Sequence, residues 1–302
     1  MGLTVILTGC STAGTTASTT PNPASTSTYS LIQEPQAGYQ PIYGFISSAK
    51  KTVDMTMYAL SDPQADAALV ADAERGVAVR VLLNGDSAGG GGAAVNQAAC
   101  DDLNSNGITA TFDADFNGTS PPPTRGVVPV GSESIWSPGE QAGLVNLIGA
   151  ARPASTLYTE NEQLDSTPVE QALVADAAKG VTVDMVMTYS SSYVNGFDTL
   201  VAGGIHVHLY YSQTPLYIQA KALSVNGKTV YVGSINYVTS STNDDRNIGI
   251  ITTHAAVVRG TTTTMASDFA GATPYNPSSS DSGSLSTTTT AASRTPAPTS
   301  SG

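Results

Sequence analysis

The chain has 302 residues, 40% of them hydrophobic, enough for a buried core in one large domain or two small lobes. Its 12 basic and 24 acidic residues leave a net charge of -12, so a polyanion is repelled overall rather than gathered. That balance argues against a nuclease and against nucleic acid as a partner.

In chain order, Leu7-Thr8-Gly9-Cys10-Ser11 resembles the lipobox of bacterial lipoproteins, in which the cysteine becomes the lipidated N-terminus. The segment before it is short and lacks a basic region, as expected for the end of a longer signal. Lipidation at Cys10 implies an extracytoplasmic protein, secreted or anchored to the cell membrane. Ser11 to Ser27 is rich in Ser, Thr, Ala and Pro without apolar periodicity and reads as a tether. Helical spacing follows from Gln40 to Ala49, an alternating strand from Thr52 to Tyr58, a helix opened by Pro63 and ended by Gly76, and a β-branched strand from Val77 to Leu83. The glycines of Gly85 to Gly92 have neither the lysine nor the spacing of a phosphate loop. Cys100 falls in a helix from Ala93 to Leu103 and reads as a small core residue.

The same order returns after Trp136. Ala68 to Leu83 (ALVADAERGVAVRVLL) aligns without gaps on Ala172 to Met187 (ALVADAAKGVTVDMVM), and an internal duplication of this length is hard to reach by chance. Helix-strand-helix-strand order implies a parallel-rich α/β sheet in each repeat, with right-handed crossovers. The repeats span 28–117 and 132–273, between a leader and tether at 1–27, a proline-rich linker at 118–131 and a Ser/Thr/Pro-rich tail at 274–302. Gly107-Ile108 corresponds to Gly204-Ile205, and Phe112 to Gly118 looks like Met265 to Gly271. By those landmarks the first repeat lacks nearly everything the second holds between Gly204 and Asp268.

The stretch missing from the first repeat carries the most specific signal in the second. Tyr217 to Val225 alternates as a strand, Asn226-Gly227 is a two-residue turn, Thr229 to Val232 runs back, and Gly233-Ser234-Ile235-Asn236 ends the hairpin on small polar residues. This stretch resembles the phospholipase D superfamily signature, His-x-Lys-x-x-x-x-Asp followed by a turn, a strand and Gly-Ser-x-Asn. Lys221, Gly233, Ser234 and Asn236 fit it. The histidine position holds Gln219, the aspartate position Asn226, and the glutamate often found in the following strand is Asn247. The resemblance implies a metal-free phosphodiesterase, without cofactor, in which a histidine attacks phosphorus and a second motif's histidine protonates the leaving group. An amide performs neither step, having no titratable nitrogen near neutral pH.

The resemblance therefore implies two tandem phospholipase D-like α/β repeats with mixed sheets, the first truncated. It carries over Gln219, Lys221, Asn226, Ser234 and Asn236 as the positions of the catalytic set, with Lys221, Ser234 and Asn236 as a phosphate cradle; an idle relic cluster is the plain alternative. Glu160 and Glu162, on one face at the end of a strand, could line a substrate pocket. His206 and His208 share a strand face but lack a third ligand, so they are read as half-buried strand residues and no metal is expected. His254 reads as a helix start. The activity of the lineage is hydrolysis of a phospholipid or other phosphodiester, expected to be lost or impaired here. The alternative is a non-catalytic surface protein that holds phosphorylated headgroups or a partner protein. A missing first hairpin is expected to leave an open edge or an uncovered apolar face, and with it the possibility of a homodimer.

Overall fold

The computed structural model describes residues 29–85, 92–113, 134–139 and 141–277. Cys10, the tether, the linker at 118–131 and the tail beyond residue 277 lie outside them. The first repeat runs α1 (Gln40–Ser47), β1 (Thr52–Met57), α2 (Pro63–Glu74), β2 (Ala78–Asn84), α3 (Gly92–Ser105) and β3 (Thr109–Asp113). Its strands form a three-stranded sheet, β1-β2-β3, parallel throughout. Val53 and Met55 from β1 and Val79, Val81 and Leu83 from β2 meet Ile46, Leu69 and Leu103 from the three helices in one core, which also buries Cys100.

The second repeat runs β4 (Ser134–Trp136), α4 (Gln141–Ile148), β5 (Thr156–Glu160), α5 (Thr167–Ala178), β6 (Thr182–Thr188), α6 (Val194–Ala202), β7 (His206–Tyr210), β8 (Ala222–Val225), β9 (Thr229–Gly233), α7 (Thr239–Asn243), β10 (Ile248–Thr252), α8 (Ala255–Gly271) and β11 (Thr273–Pro274). These strands make an eight-stranded sheet in the order β11-β7-β6-β5-β8-β9-β10-β4. β5, β6 and β7 are parallel, and every other pairing is antiparallel. The mixed character thus resides in the second repeat, where the hairpin β8-β9 is present.

The duplicated segment folds the same way twice. α2 and α5 have 12 residues each, β2 and β6 seven each. Both helices end on a glycine in the left-handed region, Gly76 at φ 84° and Gly180 at φ 87°. The next valine's N–H returns to the carbonyl of a buried aspartate, Val77 to Asp72 and Val181 to Asp176, the closure that a glycine at this position permits. Each aspartate also pairs with the basic residue three positions on, Arg75 or Lys179, at 2.7 Å in both cases.

The repeats differ in what covers the sheet. In the second, α4, α5 and α6 pack on one face through Leu144, Leu173 and Phe197, and α8 lies against β5, β6, β8 and β9 on the other. In the first, the face opposite its helices is open among the described residues. It carries Thr52, Asp54, Thr56, Arg80 and Thr111, with an Arg80–Asp54 pair at 2.6 Å and only Leu82 as a large apolar group. The expected uncovered face exists, but it is polar, so it supplies no hydrophobic drive for a dimer.

Two expected boundaries shift. The strand expected from Tyr217 begins only at Ala222. The Ile218 N–H is taken by Thr188 Oγ1 at 2.8 Å instead of a neighbouring strand, and the Lys221 ammonium donates to the Gln219 carbonyl at 2.9 Å. The tail does not begin at Pro274: β11 pairs with β7, and Tyr275 is buried in the core with its hydroxyl donating to Asp198 Oδ1 at 2.8 Å. Of the segment Phe112–Gly118, likened to Met265–Gly271, only Phe112 and Asp113 are described and lie on β3, whereas Met265 to Gly271 lies on α8; the remainder of the first segment falls outside the described residues. The correspondence of β3 with β7 holds, each strand following a left-handed glycine, Gly107 or Gly204.

The glycine of the Gly-Ser-x-Asn segment has a packing role. Gly233 pairs with Gly249 across β9 and β10, and the buried Tyr231 ring lies over both. A Cβ at Gly233 would sit 2.2 Å from Tyr231 Oη, and one at Gly249 2.1 Å from Tyr231 Cε2. The ring is fixed there because its hydroxyl accepts the Ile235 N–H at 3.1 Å. Gly233→Ala is therefore expected to lower unfolding free energy by about 1–3 kcal/mol, the usual cost of overpacking, read as a lower urea midpoint. An unchanged midpoint would show that the ring relocates freely.

α8 also brings Asp268 against Glu160, whose side chain is buried beneath that helix. Burial first, then the Asp268 carboxylate, pushes the Glu160 pKa up from 4.5 to about 8, and the protonated Glu160 carboxyl donates to Asp268. Burial raises the Asp268 pKa as well, and the Tyr210 hydroxyl donates to the Asp268 carbonyl at 3.1 Å. A raised carboxyl pKa means that the native state keeps a proton the unfolded chain has lost. Stability from this pair is therefore greatest below the unfolded pKa and falls as pH climbs through the folded value. Urea midpoints measured between about pH 5 and about pH 8 should decline in the wild type and decline less in Glu160→Gln, whose amide still donates to Asp268. Identical slopes would remove this pair from the pH dependence.

Candidate functional site

Strand direction decides which side chains meet. β5, β6 and β7 all point their C-terminal ends the same way, and β8, antiparallel to β5, starts at that end with Ala222 between Glu160 on one side and Val232 on the other. One residue beyond, Gly233 N–H donates to the Lys221 carbonyl at 3.0 Å. Gln219, Lys221, Ser234 and Asn236 are thereby gathered at one end of the sheet, beside the residues that leave β5. This is the kind of crevice, outside the carboxyl ends of parallel strands, in which open α/β sheets hold ligands.

Asn226 is not part of that corner. It occupies the far end of β8, roughly 16 Å of strand from Lys221 at about 3.3 Å per residue. Its left-handed backbone, φ 58°, forms the hairpin turn with Gly227 at φ 61°. Its side chain accepts from Arg152 N at 3.0 Å and Ser155 Oγ at 2.6 Å and donates to the Ala150 carbonyl at 3.2 Å, so it ties the turn to the loop before β5. Glu160 and Glu162 are also separated. Glu160 ends β5 facing α8, whereas Glu162 lies past the strand end, where the chain turns to the Lys221 side.

At the corner, Lys221 Nζ donates to Glu162 Oε2 at 2.6 Å, with both side chains largely buried. Glu162 Oε1 accepts from the Tyr217 hydroxyl at 3.0 Å; burial and the Glu162 charge push the Tyr217 pKa up to about 12. Ser234 Oγ donates to Asn247 Oδ1 at 2.8 Å and accepts the Ile248 N–H at 3.1 Å. The carbonyl oxygens of the Gln219 and Asn236 side chains are buried without a hydrogen-bond donor. The corner's one cation therefore faces a carboxylate, and its Ser234 hydroxyl faces Asn247.

None of the chain's three histidines belongs to this corner. His206 Nδ1 bonds Asp184 Oδ1 at 2.8 Å at the opposite end of β6 and β7. His208 Nδ1 bonds the Phe269 carbonyl at 2.8 Å, its ring stacked on Phe269. His254 caps the start of α8 and meets Tyr29 edge-on. Gln219 brings an amide to the corner, and the chain's imidazole rings lie elsewhere, on β7 and at the start of α8. Among the described residues no cluster of three or more His, Cys, Asp or Glu gathers to hold a metal, and no helix is long and apolar enough to cross a membrane.

A cleft of about 430 Å³ adjoins the corner, lined by Glu162, Tyr217 and residues that follow β6 and β7, among them Tyr189 and Tyr211. Sequence reasoning missed it. The available signal was tyrosine placed immediately after β6 and β7, in Thr188-Tyr189-Ser190 and Tyr210-Tyr211-Ser212.

A family model described as "Cardiolipin synthase, PLD-like domain" matches residues 42–118 and 144–269, one span in each repeat. No curated protein matches the sequence. Among solved structures, the chain is similar to the phospholipase D family member Nuc from Salmonella typhimurium at 17% identity and TM-score 0.43, over 47% of this chain and 96% of that one. NucT from Helicobacter pylori gives 15% identity and TM-score 0.41 over 47% and 97%. Polyphosphate kinase from Porphyromonas gingivalis shares the fold at 12% identity and TM-score 0.54, over 77% of this chain and 46% of its own. The duplicated helix-strand unit, the hairpin ending in Gly233-Ser234-Ile235-Asn236 and the family match across both repeats lead to one assignment: the chain belongs to the phospholipase D-like family.

Proposed function

We propose that this protein is a non-hydrolysing member of the family whose second repeat acts as a binding module, with Lys221 as its point of contact for a phosphorylated headgroup. The observation that carries this reading is Gln219 at the nucleophile position beside a lysine already paired with Glu162 at 2.6 Å. Phosphodiester chemistry by the lineage's route needs a titratable nucleophile and an acid, whereas binding needs only a cation and neutral donors. Lys221, Ser234 and the Gln219 and Asn236 amides are such groups, and Glu162 competes with the ligand for the lysine. The lipobox-like Cys10 supports placing this role outside the cytoplasm at a membrane surface.

The test has two arms. Purified wild type and Gln219→His, assayed on bis(p-nitrophenyl) phosphate and on phosphatidylcholine vesicles, are expected to give no turnover above a buffer blank. Protein-dependent wild-type turnover that tracks the main chromatographic peak would sink the non-hydrolysing reading. In calorimetric titration with inorganic phosphate, Glu162→Gln should tighten binding roughly fivefold, the equivalent of about 1 kcal/mol, by freeing the lysine of its competitor, and Lys221→Ala should remove binding. Phosphate affinity indifferent to both substitutions would reject Lys221 as the contact.

A further inference from the structure

The cleft beside the Lys221 corner has a chemistry of its own. Two of its tyrosines keep large ring areas in water, Tyr211 with 52% and Tyr189 with 36% of its surface exposed. The two rings stack, centroids 5.1 Å apart and planes 25° from parallel, and the Tyr189 N–H donates to the Tyr210 carbonyl at 2.8 Å, locking the two strand ends together. Tyr217 is fixed through its hydroxyl to Glu162. Rigid aromatic side chains with only two torsions lose little entropy when a ligand settles on them.

The charges around the cleft narrow the ligand class. Glu162 is the one ionised side chain in its lining, and its two oxygens already accept from Lys221 and Tyr217. No cation lines the cleft, so an anion has nothing to pair with there. An organic cation is best held by ring faces turned inward around it with a free carboxylate. Here Tyr189 and Tyr211 stack on one another instead of standing around a central space, and the carboxylate is already paired with Lys221 and Tyr217. The rest of the lining includes the side-chain amides of Gln163 and Gln213, which bond nothing within the described chain, and serine hydroxyls. An apolar platform edged by neutral donors and acceptors matches a ring that is apolar on its face and hydroxylated on its rim. The volume is in the range of ordinary small-molecule sites, about 300–1,000 Å³.

From this geometry we infer that the tyrosine cleft is a saccharide-binding site, taking a short neutral oligosaccharide with one sugar ring laid on the exposed Tyr211–Tyr189 stack and its hydroxyls on Gln163 and Gln213. The site does not depend on phosphate binding at Lys221, and a failure of one leaves the other standing.

Saturation-transfer NMR and calorimetry on the full chain, with maltotriose, cellotriose and triacetylchitotriose as probes and tetramethylammonium as the cationic comparison, test it. At least one triose is expected to bind, with its ring protons receiving saturation, and Tyr211→Ala should weaken that binding tenfold or more while the thermal midpoint stays unchanged. Gln213→Ala, at an exposed loop position, serves as the second variant and should weaken binding several-fold by removing a rim contact. Absence of binding by all three trioses at millimolar concentration overturns the proposal. So does triose binding indifferent to both variants, or tetramethylammonium binding that is lost in Tyr211→Ala while the trioses stay inert.

Discussion

The antiparallel pairing of β8 with β5 is the constraint on which the second repeat turns. A parallel β5-β6-β7 unit by itself ends in three loops with nothing to oppose them. Once β8 runs back along β5, its first residues and the last residues of β9 arrive at those same loops, and Lys221 meets Glu162 at 2.6 Å. The pairing holds because both faces of β8 are covered. Leu223 and Val225 enter the core under α4, α5 and α6, while Ser224 on the other face bonds Thr262 of α8 at 2.7 Å. The tight fit of Tyr231 over Gly233 and Gly249 then fixes the register of β9 and β10, and with it the position of Ser234.

The two repeats share a local unit and differ in what surrounds it among the described residues. Both retain the unit that folds locally, a helix closed by a left-handed glycine and an aspartate-to-base pair, then a buried strand. The first has nothing among the described residues that corresponds to α8, and the side chains of its open sheet face have the polarity that solvent requires: threonines and an Arg80–Asp54 pair. In the second, α8 covers much of the equivalent face while His206 at its edge stays exposed, and its polar groups are handled individually. Asp184 bonds His206, His208 bonds a carbonyl of α8, and Glu160 keeps its proton against Asp268. A charge that costs nothing on a wet face must be paired or neutralised on a dry one.

At the corner Gln219 contributes a neutral amide, and the pairing of Lys221 with Glu162 at 2.6 Å lowers the lysine's pull on a free anion. What remains is a set of neutral donors and acceptors beside an exposed aromatic platform. Such a surface selects by shape and hydrogen bonding more than by charge, in keeping with a chain that carries twice as many acids as bases.

The sequence by itself determined the elements and the lineage. The gapless match of Ala68–Leu83 with Ala172–Met187 revealed the repeat, because helix closure and a buried strand are written in local residue types. Asn226-Gly227 announced its turn for the same reason, since few other residues accept positive φ at both positions. That position 219 carries an amide, with no titratable nitrogen near neutral pH, was legible from residue type alone. Tertiary structure decided what depends on strand order and direction: that Asn226 lies a strand length from Lys221, that Glu160 is buried under α8 while Glu162 reaches the lysine, and that Tyr275 is core rather than tail. It also made a cleft from tyrosines distant in the chain. Those outcomes follow from which strand lies beside β5 and which face a helix covers, and neither is encoded in the spacing of residues within a single element.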